Sequence, residues 1–574
     1  MKKAVILLCV LVFISLLNST TIEVNIDGTG DYLTIQDGID ASSDGDLVLV
    51  YPGRYYEHIN YNGKTITVAS LNYTTGEEHY IHETIIDGSD NGSCVRVGSG
   101  EGATTRLQGL TLTNGAGDLT HANYRSGGGI LLYDYSHLRI KNCIITHNRA
   151  SDSGGILAAN AYLYLEGTTI SFNRSTQINC GGLTTLNMAE VTFSETNRCN
   201  IYNNYGFYAN DVCNNIEQGG GVEYTVLVDT FTVLEPDIYY LIGYDHLPEN
   251  YFSMEYDILN SYVETAEHDI YVAPDGDDAN SGISPDEPMQ SITEALIRIQ
   301  ADQENPRTIF LAPGLYSPSA NGQILPLQLK GYVSLEGAGM YETFIDGEDY
   351  YNMLYDLHSS YGYAVRNLSF ENAFSPSGIE PFAFPICCHF SKMNETLDDL
   401  LIENVRFAYC GDGTDPGDNN YYLIWTDGWL DLKNVIFENN ESRMYGIKLY
   451  GASSQQEPQI FNITNCVMRN NDNFIGLAYY GNGSEDNQVN IIGMDYTGNH
   501  YYYSGATPGN IYDHGMFFLE NGRINIINST FSDNTVSQDN GSVLGFYNTM
   551  NINILNTIIS GYPYYAIKRR FNNG

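Results

Sequence analysis

Three groups of residues in this chain have types and spacings that could do chemistry: aromatics set ahead of repeated strands, acidic clusters in glycine-bearing loops, and isolated basic side chains. Tyr421, Tyr422, Trp425 and Trp429 precede Leu430, Tyr450 precedes Phe461, and Tyr479 with Tyr480 precede Val489. If those segments stack, Tyr422, Trp425, Trp429, Tyr450 and Tyr480 line up as flat apolar faces with polar edges, which suits sugar rings. The competing reading of the same rings is packing between coils. Asp275, Asp277, Asp278 and Asn280 place hard oxygen ligands at alternating spacing, which suits calcium. Without a bidentate Glu the loop is not an EF-hand, and a capped turn uses the same residues. Asp412, Asp415 and Asp418 form a second acidic loop. Lys433 and Lys448 lie in or just after strand-like segments, where a lyase would carry its base, and Arg366, Arg406 and Lys433 recur beside turns as a candidate basic stripe. The 12 His show no Ser-His-Asp or metal pattern, so no catalytic residue is assigned.

The elements that must position these groups repeat on two scales. "TIQDGIDA", "LVLVYPGRYYE" and "ETIIDGSDN" return as "SITEALIR", "TIFLAPGLYSP" and "ETFIDGEDY" at offsets of 257, 261 and 259 residues, the mark of a duplicated module. Within each half a shorter unit has apolar residues at positions 1, 3 and 8, Asn or Gly at 5 and often Asn at 11, as in "LRIKNCIITHN" from Leu138. Position 5 falls at Asn142, Gly167, Asn367, Asn404, Asn434, Asn465, Gly493, Asn528 and Asn556, with weaker copies at Gly109 and Glu190. From Asn404 the steps are 30, 31, 28, 35 and 28 residues, one coil each. Positions 1 and 3 alternate inward, position 5 turns through left-handed backbone, and position 8 points inward again. No single coil buries that face, so the coils must stack into a parallel β-helix with structural Asn and Gly turns. An open solenoid end needs a cap, and the segments from Leu33 and Ser291 have helical apolar spacing, the second with a Ser291/Glu294 capping box.

The expected organisation is a signal peptide over 1–20, a first β-helix over 21–218, a strand-bearing connector over 219–267 and a second β-helix over 268–574. Lys2 and Lys3 followed by the apolar run Ala4 to Leu17 read as an export signal too short to span a bilayer, and nothing later resembles a span. No capping segment is evident after the last coil at Ile552, which leaves end-to-end self-association as an expectation. The formal charge of −43 disfavours nucleic acid and anionic lipid as partners. Of 10 Cys, Cys9 lies in the signal; the remaining odd number cannot all pair internally, and Cys199 with Cys213 is the expected bridge. Cys143 and Cys466 occupy one repeat position and read as stacked residues.

The strand, Pro-Gly turn and coil pattern resembles the right-handed parallel β-helices of the pectate-lyase-like superfamily over most of the mature chain. "YVAPDGDDANSG", "SITEAL" and "IFLAPGLYS" resemble an uncharacterised domain that opens such helices in secreted bacterial proteins, and "YLTIQDGIDA" with "VLVYPGRYYEHI" is similar to the opening of pectin methylesterases. The catalytic signatures of that superfamily, "GxxDFIFG", "NTD", "WxDH" and "RxPxxR", are missing from the sequence. The resemblance therefore implies an all-β fold of two tandem right-handed solenoids, each opened by a short capping helix, and carries over no catalytic residue. The expected function is a secreted or cell-surface protein that binds polysaccharide along the solenoid; the alternatives are a lyase or hydrolase of acidic glycans, and a structural or adhesive repeat protein.

Overall fold

The structure is a computed structural model that describes residues 19–120, 124–216, 222–245, 251–349, 351–356, 362–374, 386–390, 400–411, 421–426, 429–451, 459–481, 486–501, 516–536, 542–548, 551–561 and 565–570. The expected signal run and the Asp412, Asp415 and Asp418 loop lie outside the described residues.

Period-2 apolar strands separated by left-handed turns build parallel β-solenoids, divided after Glu264 into two compact units. On one face of the first unit, Thr21–Val24, Leu47–Val50, Thr67–Ser70, Arg106–Gln108, His137–Lys141, Tyr162–Glu166 and Glu190–Phe193 lie side by side in chain order. Every neighbouring pair is parallel, which requires each chain excursion to close a full coil. Two eight-stranded sheets carry the other faces. In the second unit a 17-stranded sheet continues through a turn, because Leu400–Ala408 pairs with both Leu430–Lys433 and Ile436–Glu438; a nine-stranded sheet forms the remaining large face.

The repeat positions explain the core. Leu138, Ile140 and Ile145, like Leu430, Leu432 and Phe437, are at most 1% exposed at positions 1, 3 and 8. The nine position-5 residues have φ between 47° and 68°, the region Gly and Asn enter at least cost. On that turn Asn434 donates to Asn404 and Asn404 to Asn367, each over 3.0 Å. Position 11 makes a second, buried ladder. Asn440 donates its backbone N–H (3.1 Å) and side-chain amide (2.8 Å) to the Asn471 carbonyl oxygen. The pattern repeats from Asn471 to Asn499 and from Asn499 to Asn534. These bonds satisfy backbone groups that the turn would otherwise strand away from water. In the first unit the same ladder runs Asn148, Asn173, Asn204 and ends on the carboxylate of Asp211.

Helix α1 (Ile35–Ala41) opens the first unit and α2 (Ile292–Arg298) the second. Gly38 is required where α1 meets the first strands, since a Cβ there would stand 2.7 Å from Val24. Thr34 caps α1 by accepting from the Asp37 N–H, and Ser291 caps α2 by accepting from Glu294.

Several sequence expectations need correction. The capping box of α2 is only half formed: the Ser291 N–H is taken by Asp278, and the Glu294 carboxylate turns to Arg298 at 2.7 Å. The segment expected as a connector is solenoid, because Val226–Phe231 and Tyr256–Ser261 extend one sheet of the first unit and Leu241–Asp245 another. Glu190 is not a turn residue; it starts a strand opposite Tyr162. Cys199 and Cys213 are free and buried, on strands of different sheets. Burial holds the Cys199, Cys143 and Cys466 thiols up at about 12, so these are packing groups and not nucleophiles.

Candidate glycan-facing surface

The nine-stranded sheet of the second unit aligns most of the aromatics singled out by sequence. Its strands Tyr421–Thr426, Glu441–Tyr450, Asp472–Tyr480, Phe517–Glu520 and Ser542–Tyr547 are adjacent and parallel. Ile424, Ile447, Leu477, Phe517 and Leu544 share one register row and are fully buried, so that row faces the core. Alternation turns the next row outward: Trp425, Lys448, Ala478, Phe518, Gly545 and Lys568. Two positions on, Tyr450, Tyr480, Glu520 and Tyr547 form a second outward row.

Together the two rows make one continuous ladder of rings. Trp425 meets Tyr450 edge-on at 6.0 Å, Tyr450 stacks on Tyr480 at 5.3 Å, and Tyr480 contacts Phe518 at 5.2 Å. Phe518 in turn stacks on Tyr547 at 6.4 Å. Trp425, Tyr450 and Tyr480 are half-buried, leaving part of each ring open, whereas Phe518 and Tyr547 at the far end of the ladder are buried. Trp429 differs: it is 6% exposed, buried ahead of Leu430–Lys433.

Lys448 stands inside this ladder. Its Nζ donates to the Tyr422 hydroxyl at 2.8 Å and lies 4.2 Å from the Tyr422 ring centre, 5.0 Å from that of Tyr450 and 5.6 Å from that of Tyr480. Ring faces attract a cation but solvate it less well than water does. Burial therefore pulls the ammonium down from 10.5 to about 8. Further along the ladder, burial raises the Glu520 carboxyl. A lysine that is partly neutral near pH 8 can take a proton as well as bind an anion. Sequence reasoning names Lys448 without its surroundings; its place two residues before Tyr450 is the available signal.

The other candidate residues do not converge. Arg366 lies between Glu336 (3.5 Å) and Glu403 (3.7 Å), and Lys433 follows Glu403 in register, so that row alternates in sign and is not a basic stripe. Arg406 sits on a different register row, 7% exposed and clamped by Glu371 and Glu438. Arg469 closes that network on Glu438, whose carboxyl is held down by both guanidiniums against the opposing effect of burial. In the calcium candidate, Asp278 accepts the Gln290 and Ser291 N–H groups at 2.9 and 2.8 Å, and Asp277 accepts from Ala279 at 2.9 Å. Asn280 donates to the Pro288 carbonyl. These oxygens and amides hold the turn into α2. Among the described residues no three His, Cys, Asp or Glu side chains are grouped to hold a metal.

Residues 274–343 match the family described as "Protein of unknown function (DUF1565)". No curated protein matches the chain. Among solved structures the chain is similar to a PL6 family alginate lyase, AlyGC, at 10% identity and a TM-score of 0.31, over 96% of this chain and 98% of that one. An arginine-to-alanine mutant of the same lyase gives 9% identity and a TM-score of 0.33, over 94% and 97%. A siphovirus 9NA tailspike receptor binding domain gives 9% identity and a TM-score of 0.14, over 94% and 76%. The β-solenoid assignment stands on the strand pairing described above. Among the described residues no helix is long and apolar enough to cross a membrane.

Proposed function

We propose that this chain is a secreted or cell-surface β-helix protein that binds polysaccharide along the nine-stranded face of its second unit. The observation that carries the reading is the ring ladder from Trp425 through Tyr450, Tyr480 and Phe518 to Tyr547. Coils follow one another at about 4.8 Å, so the half-open rings of Trp425, Tyr450 and Tyr480 can engage neighbouring sugars of one extended polymer. Lys448 adds a cation that would pair with a uronate or sulfate substituent. The test is affinity electrophoresis of the mature chain through gels holding pectate, alginate or a neutral glucan. Retardation by one of them that the Tyr450→Ala/Tyr480→Ala double variant loses supports the site. Equal retardation of both proteins rejects it.

Lys448 favours a second reading, a lyase of acidic glycans. As a neutral amine it would remove the proton on the carbon bearing the uronate carboxylate. The C–H electron pair becomes the new C=C bond, the neighbouring C–O glycosidic bond breaks, and the Tyr422 hydroxyl, which accepts from Lys448, would protonate the departing oxygen. New unsaturated-uronate absorbance with pectate or alginate, lost in Lys448→Met, would establish this reading; retention of the protein by the polymer without new absorbance would leave binding.

A further inference from the structure

We infer a separate saccharide-stacking site on the first unit, at the turn after the second strand of each repeat, suited to a neutral pyranoside. It does not depend on the nine-stranded face of the second unit. Repeat position 10 occupies left-handed backbone: His147 at φ 55°, Phe172 at 54°, Asn439 at 55°, Asn470 at 54°, Gly498 at 68° and Asp533 at 54°. Asn, Gly and Asp are the residues expected there, because a Cβ carrying a bulky group crowds the following carbonyl. Phe172, like His147 before it and Tyr409 in the second unit, departs from that set. On the same turn Asn203 beside it and Asn114 beyond His147 are the usual type, so the fold does not demand a ring. A strained aromatic that is also 41% exposed returns little burial for its strain.

The ring instead organises a surface. His147 stacks on Phe172 at 5.5 Å, and Tyr202 stacks on Tyr262 at 4.1 Å. Phe172 meets Tyr202 at 88° and Tyr262 at 83°, so the two stacked pairs form the walls of an open right-angled corner. His147 is exposed and Tyr262 is 46% exposed. A pyranose has an apolar C–H face and a hydroxylated edge, and such a corner can take the face on one wall and offer tyrosine hydroxyls to the edge. The walls are built of rings, with no lysine, arginine or carboxylate among them, which favours a neutral sugar. The nearby charges Arg149 and Asp90 lie 3.8 Å apart as an opposed pair. The second unit presents a ring at the equivalent turn, Tyr409 at φ 57° and 50% exposed, beside Arg406.

The test uses Phe172→Asn, which installs the residue already found at Asn114 and Asn203 on this turn. Affinity electrophoresis through hydroxyethylcellulose, xyloglucan and glucomannan should retard the wild-type chain in at least one gel. The variant should bind that polymer about tenfold more weakly, the effect of one lost aromatic contact, while its Tm stays level or rises. Tyr262→Ala should weaken binding similarly, and Tyr450→Ala/Tyr480→Ala should leave it unchanged. A lower Tm for Phe172→Asn with unchanged retardation would make the ring a packing element and overturn the inference. So would absence of retardation in all three neutral gels, or self-association of the wild type that Phe172→Asn abolishes.

Discussion

Replacing Lys448 by Met tests whether the ring ladder truly desolvates this ammonium. In the unfolded chain the lysine titrates near 10.5, whereas in the fold burial brings it to about 8. Between those values the unfolded state holds more protons than the native state, so this group makes stability rise with pH from 8 to 10.5. Below pH 8 the full cost of a buried charge is present. At about 1.4 kcal/mol per pH unit the span gives ~3 kcal/mol, and solvent reaching a half-buried side chain reduces that to ~1–2 kcal/mol. Lys448→Met removes the titration. The loss of the Tyr422 hydrogen bond, worth ~1 kcal/mol, offsets part of the gain at pH 7. The stability difference between variant and wild type should therefore shift by ~1–2 kcal/mol against the variant as pH rises from 7 to 10.5. Urea unfolding at four pH values measures it, and tyrosine ionisation common to both proteins cancels. Parallel stability curves, or a Lys448 NMR titration centred near 10.5, would refute the desolvation argument and with it the role of base given to this side chain.

Further outcomes follow from the same geometry. Asp211 ends the buried amide ladder with its carboxyl raised by burial from 3.8 to about 7, so the native state holds the extra proton and the group's contribution falls as pH rises from 4 to 7. Asp211→Asn should flatten that slope and stabilise the first unit at pH 8 by ~2–4 kcal/mol in urea unfolding; Asp152, raised to about 6, retains a smaller slope. Asn471→Leu strands the donors of Asn440 and should lower stability by ~3 kcal/mol or more, whereas the exposed turn change Asn434→Gly should cost under ~1 kcal/mol; equal losses would reject the distinction between the two ladders. With a net charge of −43, affinity for an acidic polymer should increase with salt from 20 to 200 mM, as the screening length falls to about 7 Å, while affinity for a neutral one stays flat.

The solenoid is legible because its two strongest signals are local. A strand needs only alternate inward side chains, as in Leu138 and Ile140, and a left-handed turn needs a residue such as Asn142 that tolerates it. Where a coil lacks the turn signal the reading fails: Val226–Phe231 continues a sheet of the first unit, yet the sequence around it carries no Asn at the expected place and reads as a connector. Glu190 is misplaced by the template because "AEVTFSETN" fits the apolar spacing in more than one register, and only pairing with Tyr162 decides.

The candidate sites are legible by residue type and not by environment. Trp425 and Trp429 are four residues apart and look equivalent in sequence, but a row assignment turns Trp425 into the ladder while Trp429 is buried. Arg366, Arg406 and Lys433 share a position beside turns, yet pairing sets Glu403 between the first and last and seals Arg406 against two carboxylates. The shift at Lys448 depends on rings from three coils, which no single repeat contains. Phe172 is the converse case. The repeat template fixes the left-handed turn at position 10, so a bulky ring there conflicts with local backbone preference whatever packs around it. The same turn is filled by Asn at Asn114 and Asn203, so the backbone gives no reason to keep such a ring. The conflict therefore points outward, to what the surface meets.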